Sequence, residues 1–206
     1  MGNGIRSVRE AAAILDELGI ASISERMILE FERSWNSVPQ EIRDSLDVVT
    51  MLLAAVGVGT YDTGTCEWTP TSDRVYSFDV EVSDIDRMYT LFLQGIQSIN
   101  EDEFEITQIR EEAGRLEYPS GRETRRVRFL CDGRECIYQA QMNYDWFDAG
   151  IFDYMNEVLA EAGNPKRLYF MSDGYQECIV FYCTEFWARR FERKTGCRLC
   201  CDTKKA

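Results

Sequence analysis

A chain of 206 residues with 45% hydrophobic and 12% aromatic residues and only four prolines can bury a sizeable core, which excludes a disordered chain. A formal charge of −13 at pH 7 opposes contact between the acidic body and nucleic-acid phosphates or anionic lipid, and favours a basic partner. The absence of histidine removes histidine triads, HExxH metalloprotease sites and most catalytic zinc sites, so any enzyme reading is left with carboxylate, cysteine, lysine or tyrosine chemistry.

The longest apolar stretch, Val48 to Val58, is broken by Thr50 and Gly57 and falls short of the roughly 20 residues that cross a bilayer, so no membrane span is expected. Met1 to Glu10 lacks the apolar run and small-residue cleavage site of a secretory signal, which points to a cytoplasmic protein. The eight cysteines then read as mostly reduced, with Cys66, Cys131, Cys136, Cys178 and Cys183 in or near strands, where free cysteine packs as a small hydrophobe. Charge is unevenly spread: residues 184–206 carry seven Lys/Arg against three Asp/Glu, a net of +4, which leaves −17 for residues 1–183.

In chain order, Val8, Ala11, Ala12, Leu15 and Leu18 form a helical stripe stopped by Gly19. Ile23, Met27, Ile28 and Phe31 form a second, and Ile42, Leu46, Val49, Leu53 and Val56 a third behind Pro39. Residues 1–59 therefore read as a helical lead-in. Thr60 to Asp73, rich in Thr, Gly and Asp and containing Pro70, reads as a loop and as the boundary to an α+β unit over 74–201, the two forming one compact body. Tyr76, Phe78, Val80 and Val82 alternate with Ser77, Asp79 and Glu81, as a half-buried strand does. Ser83 looks like an N-cap with Asp86 at the third helical position, ahead of Ile85, Met88, Tyr89, Phe92, Leu93 and Ile96 at helical spacing. Phe104 and Ile106 suggest another strand, and Gly114 to Arg122 a connecting loop.

Two hairpins follow. Asp132-Gly133 is a two-residue turn signal whose register pairs Phe129 with Cys136 and Val127 with Tyr138, leaving Arg126, Arg128, Glu135 and Gln139 on a solvated face. Around Asp173-Gly174, a three-residue loop would set Phe170 opposite Cys178 and Leu168 opposite Val180. Cys178 to Cys183 is apolar on both faces and belongs in the middle of a sheet. Each hairpin is followed by a helix, Asp145 to Glu161 and then Thr184 to Thr195, the latter stopped by Gly196. The fold class is α+β: a helical N-terminal segment, then a mostly antiparallel sheet with helices packed on one face in strand-strand-helix units. FLCDGRECI (Phe129 to Ile137) and FMSDGYQECI (Phe170 to Ile179) are alike enough to raise an internal duplication, although hairpins share turn chemistry in any case.

Few residues carry chemistry. Asp145, Asp148, Asp153 and Glu157 cluster where paired carboxylates could serve as acid and base, but Asp145 and Asp148 are equally explained as first-turn residues that complement a helix dipole. Cys197-Arg198-Leu199-Cys200 is a CxxC with Cys201 beside it, yet it follows the last helix and has no second CxxC, so a terminal strand with incidental cysteines is preferred. Trp68, Trp146, Tyr175 and Trp187 are recognition aromatics or core, with Tyr175 the one expected to be exposed. Glu101-Asp102-Glu103 could dock a basic protein or simply be a solvated edge. Arg189, Arg190, Arg193 and Lys194 on the last helix could bind phosphate, yet a helix C-terminus favours cations without any ligand.

DWFD (Asp145 to Asp148), LYFMSDGYQECIVFYC (Leu168 to Cys183) and FERKTG (Phe191 to Gly196) resemble an uncharacterised set of bacterial proteins of Firmicutes type. That resemblance implies a bacterial cytoplasmic origin and assigns no particular activity. The small, acidic, histidine-free make-up is also similar to immunity proteins that block bacterial toxins. The leading expectation is a non-catalytic protein-binding module, an immunity-type inhibitor of a basic toxin being one form, that uses Asp145, Trp146, Asp148, Asp173, Tyr175, Glu101, Asp102 and Glu103 and needs no cofactor or metal. The alternative is a small hydrolase or ligand-binding domain with a pocket near Asp145, Asp148 and Tyr175.

Overall fold

The computed structural model describes residues 7–21, 23–62, 64–65, 67–114, 117, 120–173 and 175–205; Cys66, Gly174, residues 1–6 and most of 115–119 lie outside them. Capping chemistry starts and stops the helices. Ser7 Oγ accepts from the Glu10 N–H to open α1 (Val8–Glu17), and Gly19, at φ 70°, lets the Ile20 N–H return to the Leu15 carbonyl at 3.0 Å. The five residues of the first predicted stripe are all buried. The second stripe forms α2 (Glu25–Ser37) but lies on the surface with no buried residue, because only Ile28, Phe31 and Trp35 reach the core. The third is interrupted: after the short α3 (Gln40–Arg43), the Asp47 Oδ1 accepts from the Thr50 N–H at 2.8 Å and caps a new helix, α4 (Val48–Gly57), so Ile42 is left exposed. The segment expected to be a loop holds a short antiparallel ribbon of β1 (Thr60–Asp62) and β2 (Glu67–Thr69).

The strands fall into two three-stranded antiparallel sheets. In the first, β3 (Tyr76–Asp79) and β7 (Arg167–Ser172) flank β8 (Glu177–Cys183), which is central as its apolar character on both faces predicts. Ile179, Phe181 and Cys183 face α1, α4 and α7 (Glu185–Thr195); Cys178, Val180 and Tyr182 face α5 (Met88–Ser98) and α6 (Gly150–Glu161). The same two helices cover one face of the second sheet, β4 (Ile106–Ala113), β5 (Arg122–Cys131) and β6 (Arg134–Asn143). The result is an α+β fold layered helix, sheet, helix, sheet.

The first hairpin has the register its turn predicts: Asp132 and Gly133 take φ 50° and 76°, and Phe129 pairs with Cys136 and Val127 with Tyr138. The second is offset by two residues, with Phe170 opposite Val180 and Leu168 opposite Tyr182. The cause is Asp173, whose Oδ1 accepts from the N–H groups of Tyr175 and Glu177 at 2.8 and 3.1 Å while its own N–H donates to the Glu177 carbonyl at 3.1 Å, which closes the turn at Asp173 and Glu177 rather than at Ser172 and Gln176. Two helix starts also move. Val82 donates to the Asp145 carbonyl at 2.9 Å and Phe147 to the Val80 carbonyl at 2.8 Å, so both segments stay extended. α6 therefore begins at Gly150 rather than Asp145, and Ser83 is not a cap: α5 follows a 3-10 turn over Ile85–Arg87.

Gly95 of α5 sits against the buried Tyr76 ring, and a Cβ there would lie 2.3 Å from two of its carbons. Helix propensity alone would make Gly95→Ala stabilising by about 1 kcal/mol. We expect the clash to win, with a net loss of about 1 kcal/mol or more in urea unfolding; a gain would contradict this packing.

Candidate functional site

The β7–β8 loop and the chain that follows α7 face each other across a cleft of about 650 Å³. Gly196, at φ 80°, ends α7 and turns the chain back, so that Cys200 exchanges backbone hydrogen bonds of 2.8 Å with Phe170 on the free edge of β7. Cys197 swings over the cap of α4, its Sγ 3.6 Å from Asp47 Oδ1. Val80, Phe147, Phe152, Phe170 and Met171 supply apolar walls, and Asp47, Asp173, Glu177 and Arg198 bring charge to them. Tyr175 stands at the loop tip, 66% exposed.

Most polar atoms here already have work. Asp47 Oδ1 caps α4, and Asp173 Oδ1 organises its own loop. Glu177 differs: its Oε2 is buried with no hydrogen-bond partner among the described residues. Burial, followed by the nearby charges of Asp79 and Asp173, pushes its carboxyl above the ordinary carboxylate range. Burial and then Asp47 push the Cys197 thiol up to about 11, and burial raises Cys178 further, so neither is a ready thiolate at neutral pH. Among the described residues, no three cysteine or carboxylate side chains converge as metal ligands do.

The residues singled out on sequence scatter over three places. Asp173 and Tyr175 line the cleft. Asp145 and Trp146 belong to the strap that pairs with Val80–Val82, with Trp146 44% exposed beside Glu81, whose carboxylate accepts from the Gln176 amide. Asp148 follows them as a bolt between layers: its Oδ2 accepts from Tyr138 Oη at 2.8 Å and the Gln141 N–H at 2.7 Å, its Oδ1 from the Gly150 N–H at 3.0 Å. The helix-dipole account fails for Asp145, which lies in the strap, whereas Asp148 precedes α6 and its carboxylate accepts from the first N–H of that helix. Asp153 is likewise occupied, accepting from Thr203. Glu101, Asp102 and Glu103 sit toward the other end of β8, where Glu101 pairs with Arg74 and Lys166, and Glu103 with Lys166 at 2.6 Å and Tyr182 Oη at 3.0 Å. The Lys166 contact holds the Glu103 carboxyl below its usual range. Glu177, Asp47 and Phe147 were not picked out from sequence; a glutamate heading an otherwise apolar strand was the one visible signal.

Compared with known family models, curated proteins and solved structures, the chain matches none.

Because the folded state raises the Glu177 carboxyl, folding takes up protons there, and the protein loses stability as pH rises from the ordinary carboxylate range through the raised value. Glu177→Gln removes that cost. Its melting temperature should exceed the parent's at pH 7, and the gap should shrink toward about pH 4; a gap that does not vary with pH would contradict the environment described.

Proposed function

We propose that this protein is a non-catalytic binding module that takes an apolar, positively charged group of a protein partner into the cleft beneath Tyr175. The observation that carries the reading is the combination of an aromatic floor with the unpartnered, buried Glu177 oxygen. A volume of about 650 Å³ suits one or two partner side chains, lying within the roughly 300–1,000 Å³ of small-ligand sites. A lysine or arginine with an aliphatic or aromatic neighbour would fill the floor and give Glu177 a charged partner, which favours its ionised form. Tyr175 and Trp146 are exposed aromatics of the kind that anchor such contacts. A basic toxin met by an immunity protein is one partner with this chemistry.

A second reading, a small-ligand hydrolase, is favoured by the Glu177 carboxyl, which burial and the neighbouring carboxylates push above the ordinary range, the direction in which general acids are tuned. It ranks behind binding because acid and base work needs a second available carboxylate, and Asp47 and Asp173 each have an oxygen committed to backbone.

An array of short peptides pairing Arg or Lys with Phe, Leu or Trp tests the leading reading. Tyr175→Ala, a change at an exposed side chain, should weaken the best binder roughly tenfold or more with no change in melting temperature. Binders unaffected by Tyr175→Ala and Glu177→Gln would place recognition elsewhere. Turnover of ester or glycoside substrates that Glu177→Gln abolishes would favour the hydrolase.

A further inference from the structure

The outward face of the β4-β5-β6 sheet carries exposed or half-exposed arginines, Arg110 on β4 and Arg122, Arg126 and Arg128 on β5, in a chain whose formal charge is −13. Their arrangement is unfavourable as it stands. Arg110 and Arg128 are direct cross-strand neighbours, and like charges so placed repel. Arg126 and Arg128 share one carboxylate, Glu112, at 3.7 and 3.6 Å, and the Arg128 Nε has no hydrogen-bond partner among the described residues. Among the described residues, Arg110 and Arg122 have no ion pair. On β6, the residues opposite Arg128 and Arg126 are the uncharged Ile137 and Gln139, both exposed.

We propose that this face docks an acidic segment of a partner protein, laid in extended form along β5. The argument is one of charge and spacing. Alternate residues on a strand lie about 6.8 Å apart, so an extended peptide with carboxylates at alternate positions repeats at the interval of Arg126 and Arg128. Guanidinium groups grip carboxylates two bonds at a time, and an added carboxylate would separate the opposed pair Arg110 and Arg128. A nucleic acid fits less well. Sheet platforms for single strands stack bases on aromatic side chains, and the outward positions of these strands have none among the described residues. Tyr144, just past β6, packs its ring against Gly121. The surface is separate from the cleft, so the two readings stand or fall independently.

Fluorescence anisotropy with the full chain in low salt tests the proposal, using three labelled probes: a peptide alternating Glu and Thr, a peptide of the same composition with its glutamates in one block, and an oligo-dT strand. The alternating peptide should bind tightest and weaken as salt rises. Arg126→Glu/Arg128→Glu should cost at least tenfold, and Arg110→Gln/Arg122→Gln, which touches no ion pair seen here, should weaken binding in the same direction. Failure of both peptides to bind, equal binding of the block peptide, or preference for oligo-dT would each overturn it. So would a concentration-dependent dimer in sedimentation that the charge reversal abolishes, since a second copy would then be the occupant.

Discussion

β8 presents Ile179, Phe181 and Cys183 to one side and Cys178, Val180 and Tyr182 to the other, all but out of reach of water. Burying side chains of this kind is worth about 1.5–3 kcal/mol each for the larger aliphatics and aromatics, so the strand is stable only if both faces are covered. The helical N-terminal segment and α7 cover one side, and α5 and α6 the other. The second sheet then covers the far side of α5 and α6. The cleft opens where β8 begins, at Glu177 and Cys178, and Thr50 of α4, Phe152 of α6 and Thr195 of α7 line it.

Polar contacts fix how the second sheet sits on the helical layer. Arg125, with 3% of its side chain exposed, projects from β5 toward α5, 3.4 Å from Glu111 and 3.1 Å from Glu123, and donates to the Ile85 carbonyl. Glu111 in turn accepts from the N–H and hydroxyl of Thr90 at 2.6 and 2.7 Å. Asp148 performs the matching task at the other edge, joining β6 to the start of α6, while Tyr89 of α5 bonds its backbone N–H at 3.2 Å. Buried charges set in this way add little net stability, but a misplaced layer would leave them unpaired, which selects one arrangement over its neighbours.

What the sequence disclosed followed the range of the interactions involved. The Gly19 and Gly196 stops and the Asp132-Gly133 register are set by residues a few positions apart, and all were legible. The central place of β8 was legible too, because burial on both faces writes a continuous apolar run. The start of α6 was not: the pairing of Asp145–Phe147 with Val80–Val82 joins segments some sixty residues apart and overrides the helical pattern. The second hairpin slipped because Asp173 spends its carboxylate on the loop, a use that composition does not announce. Tyr175 could be named as exposed from its turn, whereas the cleft around it needs Asp47, Phe147, Glu177 and Cys197, which only the tertiary fold brings together.

The cleft under Tyr175 is the central claim, and a backbone amide map by NMR tests it most directly. On titration with a basic, aromatic peptide, the resonances that move should be those of the Asp173–Cys178 loop, the Cys197–Cys200 return and Asp47 at the cap of α4, with the arginine face of the second sheet unchanged. Saturable shifts confined to other surfaces, or no shifts with any such peptide, would contradict it.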